Sequence, residues 1–326
     1  PMTASLSATK QWVGGPDADH TRVKLSIWRT IDDVNSPPPG GITMEAGEWF
    51  QASVNPPDGI SNTFVGTWSS LAATDINGNP YTYFFTEDDH PRFEHYERAY
   101  SDYITVGNVQ YAKNGETVTN TYVPPTDGSA TASKQWVNGH TDQHVPVDLS
   151  LYRSIDYGAT MEAVPGNPAP VATDNGSVIS YAWSGLQRTD GDGIPYQFYF
   201  TEDAAALPEG YALSYSSSVT VGGTEYAPSG ATAYNTYTPP TISVTAAKNW
   251  TNGPDSDHVV VPLTLHRKIE GGSLKPVAAS YTVSPEGPTA EQFTYTWTGV
   301  DKTDIDGNIY TYYFKENEVA GYTRAY

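Results

Sequence analysis

The chain has 326 residues, enough for two or three domains with separate cores. Its 17 Lys and Arg against 37 Asp and Glu give a formal charge of −20, a surface that repels phosphate backbones and anionic membranes. There is no cysteine, so disulfides are excluded, while 13% aromatic residues with 29 Gly and 25 Pro suit strands joined by turns.

In chain order, the first predicted strand covers Ala8 to Val13 and carries Lys10-Gln11-Trp12. A loop rich in Gly, Asp and His follows, then the alternating run Val23 to Arg29, patterned as a half-buried strand. After a variable stretch come Phe64 to Trp68, a turn at Thr74 to Gly78, and an aromatic strand from Tyr81 to Glu87. Val118 to Tyr122 closes the block, and Pro124-Pro125 stops the sheet and stiffens a linker.

The same succession recurs. Lys134-Gln135-Trp136, Val145 to Arg153, Tyr181 to Trp183, Tyr196 to Glu202 and Ala233 to Tyr237 precede Pro239-Pro240. Lys248-Asn249-Trp250, Val259 to Arg267, Phe293 to Trp297 and Tyr310 to Glu316 open a third copy. A tandem array is therefore read before anything else. The expected fold is all-β: antiparallel β-sandwiches in a linear array, with domains at 1–125, 126–240 and 241–326.

The first block is longer. Trp12 to Trp68 spans 56 residues where both counterparts span 47, and the excess brings Trp49, which has no equivalent. A Trp on a loop is either a contact surface or a ring packed under its own loop.

Three polar residues recur in order. Glu87 follows Lys10 by 77 residues and Glu202 follows Lys134 by 68; Asn120 and Asn235 follow their glutamates by 33. Alternate strand residues share a face, so Lys10 lies with Trp12, Glu87 with Tyr83 and Phe85, and Asn120 with Val118 and Tyr122. Burial there drives Lys and Glu toward their neutral forms. A neutral amine is a nucleophile, and a neighbouring carboxyl can polarise the Asn carbonyl and shuttle the proton, giving an amide bond and ammonia. The residues alone leave open that the lysines snorkel from edge strands and the glutamates merely end strands.

These marks resemble the B-type repeats of Gram-positive collagen adhesin, the CnaB-like domains of bacterial adhesins and pilins. They are Lys-x-Trp, an aromatic strand ending Phe-Thr-Glu, and Asn-Thr-Tyr before Pro-Pro. The resemblance implies neighbouring first and last strands bridged by a Lys–Asn isopeptide bond, with Glu87 or Glu202 beside it as proton shuttle. Carried over, Lys10, Glu87 and Asn120 form one set and Lys134, Glu202 and Asn235 the second. Lys248 and Glu316 repeat the spacing of 68, Glu316 being by the resemblance a third proton shuttle, but no Asn follows at the matching offset. The third domain therefore lacks its closing strand and Lys248 its acceptor in this sequence; further chain, or a strand donated in trans, would supply them.

The function so implied is structural: stalk repeats of a cell-wall-anchored adhesin or pilin-like protein, outside the cell, monomeric and self-cross-linking in a single turnover without being an enzyme. No cofactor, metal, nucleic acid or membrane insertion is expected. The alternative is a ligand-binding module that takes a glycan or a host extracellular-matrix protein through the Trp49 loop. Asp75 to Asn79, Asp190 to Gly193 and Asp304 to Gly307 resemble the start of a calcium loop but lack its downstream Glu, and read as turns. His20, His144 and His258 recur in a loop and read as capping or surface groups. Pro1-Met2 reads as a cloning remnant, so the lack of a visible signal peptide carries no weight.

Overall fold

The computed structural model describes residues 2–46, 62–176, 178–286 and 289–326. Trp49 and the loop around it lie outside them. Among the described residues the regular structure is β-strand, with a few three-residue 3-10 turns, as the alternating pattern predicts. None of their helices is long and apolar enough to cross a membrane.

The chain divides into two compact units. The first comprises Pro1–Ser129, Ile155–Tyr157 and Ser184–Gln197; the second comprises Ala130–Ser154, Gly158–Trp183 and Phe198–Tyr326.

In the first unit one sheet runs Thr63–Ala72, Thr3–Val13, Thr117–Tyr122, Tyr96–Tyr100. A second runs Glu45–Ala46, Leu25–Thr30, Thr82–Glu87, Val109–Lys113, Tyr103–Val106. Along Thr3–Val13 the residues Leu6, Ala8, Lys10 and Trp12 are buried in period two. The apolar ones pack with Leu25, Ile27, Trp68, Phe85 and Val118 in one core. Full burial of each such Leu, Ile or Phe is worth about 1.5–3 kcal/mol.

One pairing departs from the antiparallel expectation. Thr3–Val13 and Thr117–Tyr122 run parallel, with Lys10 opposite Val118 and Trp12 opposite Asn120. A parallel pair needs a crossover connection, which the intervening hundred or so residues of the block supply.

The second unit repeats the plan. Gly128–Val137 pairs in parallel with Thr232–Tyr237, with Lys134 opposite Ala233 and Trp136 opposite Asn235. Its third block has two three-stranded sheets: Thr241–Asn249, Gln292–Asp301 and Tyr281–Ser284, then Lys275–Pro276, Leu263–Lys268 and Thr311–Glu316. Trp250, Leu265, Phe293, Tyr295 and Trp297 build its core.

The Asp-x-Asx-Gly segments are Asx turns. Asp75 Oδ1 accepts from the amides of Asn77 and Asn79, both at 2.8 Å, and Asp190 and Asp304 do the same. These carboxylates are committed to their own backbone. In the first unit the Gly15 amide donates to Gly191 O, and in the second the Gly139 amide donates to Ile305 O, both at 2.8 Å.

Candidate functional site

The parallel register brings the predicted set together. Lys10 and Asn120 come from adjacent strands of one sheet, and Glu87 ends Thr82–Glu87 in the facing sheet. All three side chains are buried, as are Lys134, Glu202 and Asn235. Strand parity explains this: each residue occupies an inward position whose neighbours on the same face are apolar.

In the first set Lys10 Nζ lies 3.1 Å from Glu87 Oε2, an ion-pair distance without the alignment of a hydrogen bond. Asn120 Nδ2 donates to Glu87 Oε1 at 2.7 Å. In the second, Lys134 Nζ donates to Glu202 Oε2 at 2.8 Å and Asn235 Nδ2 to Glu202 Oε1 at 2.7 Å. One carboxylate thus spans amine and carboxamide in both. The carbonyl oxygens of Asn120 and Asn235 are buried without a hydrogen-bond partner.

Burial lowers the Lys10 pKa to about 8; the Glu87 carboxylate pulls it back up and Arg98 pushes it further down. Burial likewise lowers Lys134, opposed by its hydrogen bond to Glu202. The amines also sit over the rings of Trp12 and Trp136, at 4.2 and 4.9 Å from the centroids, which favours the cation. A buried charged pair is unfavourable unless fully hydrogen-bonded; in the first set Lys10 Nζ and Glu87 Oε2 have no hydrogen bond, and in both sets the neighbouring amide oxygen has none.

Lys248 and Glu316 form the corresponding pair in the third block, at 3.0 Å.

The motifs did not point to the groups that hold the glutamates. Glu87 N donates to Tyr100 Oη and Glu202 N to Tyr215 Oη, both at 2.9 Å, and Glu316 N reaches Tyr326 Oη at 3.2 Å. The signal was present in part: the first two tyrosines each follow their glutamate by 13 residues. Arg98 and Arg324 donate to the Glu87 and Glu316 carbonyl oxygens, each at 2.6 Å. The strand register places Leu213 where Arg98 stands, so the second set lacks this cation.

Residues 244–326 match the family model described as Cna protein B-type domain. No curated protein matches the chain. Among solved structures it is similar to the major pilin protein (T-13) from Streptococcus pyogenes serotype GAS131465, at 10% identity and TM-score 0.19, covering 72% of this chain and 99% of that one. It is similar to the pilus adhesin SpaC from Lactobacillus rhamnosus GG in its open conformation, at 11% identity and TM-score 0.21, covering 98% and 41%. A third is BcpA, the major pilin subunit of Bacillus cereus, at 12% identity and TM-score 0.21, covering 99% and 90%. At these TM-scores the likenesses have no bearing on fold or function.

Proposed function

We propose that 1–125 and 126–240 are domains of the same kind as residues 244–326, which match the Cna protein B-type domain, and that the array is a load-bearing stalk. It belongs to a cell-wall-anchored adhesin or pilin-like protein of a Gram-positive surface. Lys10–Asn120 and Lys134–Asn235 are its isopeptide bonds, each made by the folded domain itself.

The carrying observation is the bridging carboxylate, with Glu87 Oε2 at 3.1 Å from the amine and Oε1 accepting from the carboxamide at 2.7 Å. Desolvation favours the neutral amine. Lys10 Nζ attacks Asn120 Cγ, Glu87 takes a proton from Nζ through Oε2, and Oε1 delivers one to Nδ2. The Cγ–Nδ2 bond breaks, ammonia leaves, and the Nζ–Cγ amide remains. No oxidant or cofactor enters. Proximity and orientation come from the fold, and the product leaves a neutral amide where a buried ionisable amine stood.

A bond from Lys10 to Asn120 closes almost the whole block. By analogy with disulfide loops it contributes about 4–5 kcal/mol through the unfolded state. Because the bonded strands are adjacent, tension entering the first strand leaves by the last without unzipping the sheets between them. Kinetic resistance to heat and proteolysis follows.

Intact mass spectrometry of the purified chain tests this. The expected result is a deficit of two ammonia molecules, with one restored by Glu87→Ala. A wild-type mass equal to the sequence mass rejects the proposal.

A further inference from the structure

Each block stacks a histidine on the tryptophan of its opening strand: His20 on Trp12, His144 on Trp136 and His258 on Trp250, at centroid distances of 5.6, 5.6 and 5.4 Å. In each, Nε2 meets a backbone carbonyl, that of Gly14, Asn138 or Asn252, at 2.9, 2.9 and 3.1 Å. A carbonyl only accepts, so Nε2 carries the hydrogen and Nδ1 of the neutral ring presents a lone pair.

What faces that lone pair differs between blocks. In the first, His20 Nδ1 lies 2.8 Å from Asn62 Oδ1, and exchanging the near-equivalent O and N of that amide offers an NH2 donor to a neutral ring. In the third, Glu291 stands in the place of Asn62. Trp12 N donates to Asn62 O at 2.7 Å, and Trp250 N to Glu291 O at 2.8 Å. Asp255 holds the position of Asp17 at the start of the short turn before the histidine.

Ligand atoms of Asp255, His258 and Glu291 lie within 4.8 Å of one another. His258 is only 4% exposed, and among the described residues no hydrogen bond reaches its Nδ1. With Nε2 on the Asn252 carbonyl, Nδ1 is the nitrogen left to these two carboxylates, and in a neutral ring it has no donor to meet among the described residues. One imidazole nitrogen beside two carboxylates is a donor set of the kind that holds a cation.

We propose that Asp255, His258 and Glu291 bind one divalent transition-metal ion of the zinc class, through one imidazole nitrogen and two carboxylate oxygens, with water completing the shell. Bond lengths of about 2.0–2.2 Å require the ligand atoms to draw closer than they stand. The two carboxylates are exposed and free to swing, while the imidazole is held by its ring stack. The Asn252 carbonyl on Nε2 is the outer partner that metal-bound histidines ordinarily have. Among the described residues the set occurs in the third block: the first has Asn62 for Glu291, and the second has Thr141 where Asp255 stands. Bound metal ties the loop after the opening strand to the segment leading into Gln292–Asp301, beside Trp250 and Lys248.

Calorimetric titration of the tag-free, metal-stripped chain with zinc chloride tests the assignment. One equivalent should bind, and Glu291→Asn, which recreates the first block's arrangement at an exposed position, should weaken binding by more than the roughly tenfold that losing an outer-shell partner costs. Nitrogen-15 NMR should show zinc displacing the His258 Nδ1 resonance. Absence of binding overturns the proposal. So does binding that Glu291→Asn leaves unchanged, or zinc that shifts other histidines and not His258. A His258 ring found protonated and indifferent to zinc also overturns it, leaving an ion pair with the two carboxylates.

Discussion

Asn120 donates its side-chain amide to Glu87 at 2.7 Å across 33 residues of chain, and Asn235 donates to Glu202 at the same distance across the same separation. The hydrogen bond involves the amide nitrogen, the atom that must leave if the carboxamide is to be attacked. The carboxylate is therefore placed to protonate the leaving group, which is the proton-shuttle half of the sequence reading; the other half had it polarise the carbonyl, whose oxygen it does not touch. The amine on the other carboxylate oxygen completes a path for one proton from nucleophile to leaving group. Glu87→Gln retains the size and much of the hydrogen bonding but cannot carry that proton. The first block should then lack its bond while the second keeps it. On denaturing gels the variant should migrate more slowly than wild type, and block one should lose about 4–5 kcal/mol of stability. Unchanged migration would contradict the relay.

Lys10 offers a pH test once its acceptor is removed. In Asn120→Ala the amine stays free, and its folded pKa of about 8 lies below the ordinary value of 10.5 because burial disfavours the charge. Between those values the unfolded chain holds the proton and the folded chain does not, so unfolding free energy rises with pH across that window. Below it, both states are charged and the full desolvation penalty persists. Urea midpoints of Asn120→Ala should increase from pH 8 to pH 10, and adding Lys10→Met should flatten the dependence. A slope that survives the second substitution would assign the effect to another group.

The tyrosine behind each glutamate gives a third expectation. Tyr215 accepts from the Glu202 amide at 2.9 Å and packs edge-on against Phe200 at 5.9 Å. Tyr215→Phe preserves the ring contact and strands a part-buried amide, which costs about 1–3 kcal/mol. In a Glu202→Gln background, where the second bond cannot form, the loss should appear directly in the urea midpoint. No change would mean that water replaces the hydroxyl freely.

Much of this arrangement was legible because strands have a period of two. Trp12 places Lys10 on the inner face, and Tyr83 with Phe85 places Glu87; the burial of all three follows the parity. That first and last strands are neighbours entered only through the family resemblance, and their parallel direction was not anticipated, since alternation is blind to strand direction. Tyr100 and Tyr215 escaped notice because their hydroxyls act on backbone amides, and aromatic residues in strands read as core. The histidines were recognised as recurrent, but only the geometry at Nε2 shows which nitrogen is left over. The difference between Asn62 and Glu291 then acquires a meaning that sequence comparison of the blocks does not supply.

The tight loop after each opening strand provides the last expectation. Gly139 has φ of +81°, and a Cβ there would run into the Tyr211 hydroxyl, whose ring packs edge-on against Trp136 at 5.0 Å. Gly185 also has positive φ, +70°, but a Cβ there meets open space. Both alanine substitutions carry the left-handed penalty of about 1–2 kcal/mol. Only Gly139→Ala must also displace Tyr211 from the tryptophan that lies beneath Lys134. Its destabilisation, measured by denaturant unfolding in the Glu202→Gln background, should therefore exceed that of Gly185→Ala by about 1 kcal/mol or more, the usual scale of overpacking. Near-UV circular dichroism should report the change at Trp136. Equal losses for the two variants would show that Tyr211 moves aside freely, and that the aromatic wall around the second Lys-Glu-Asn set is not rigid.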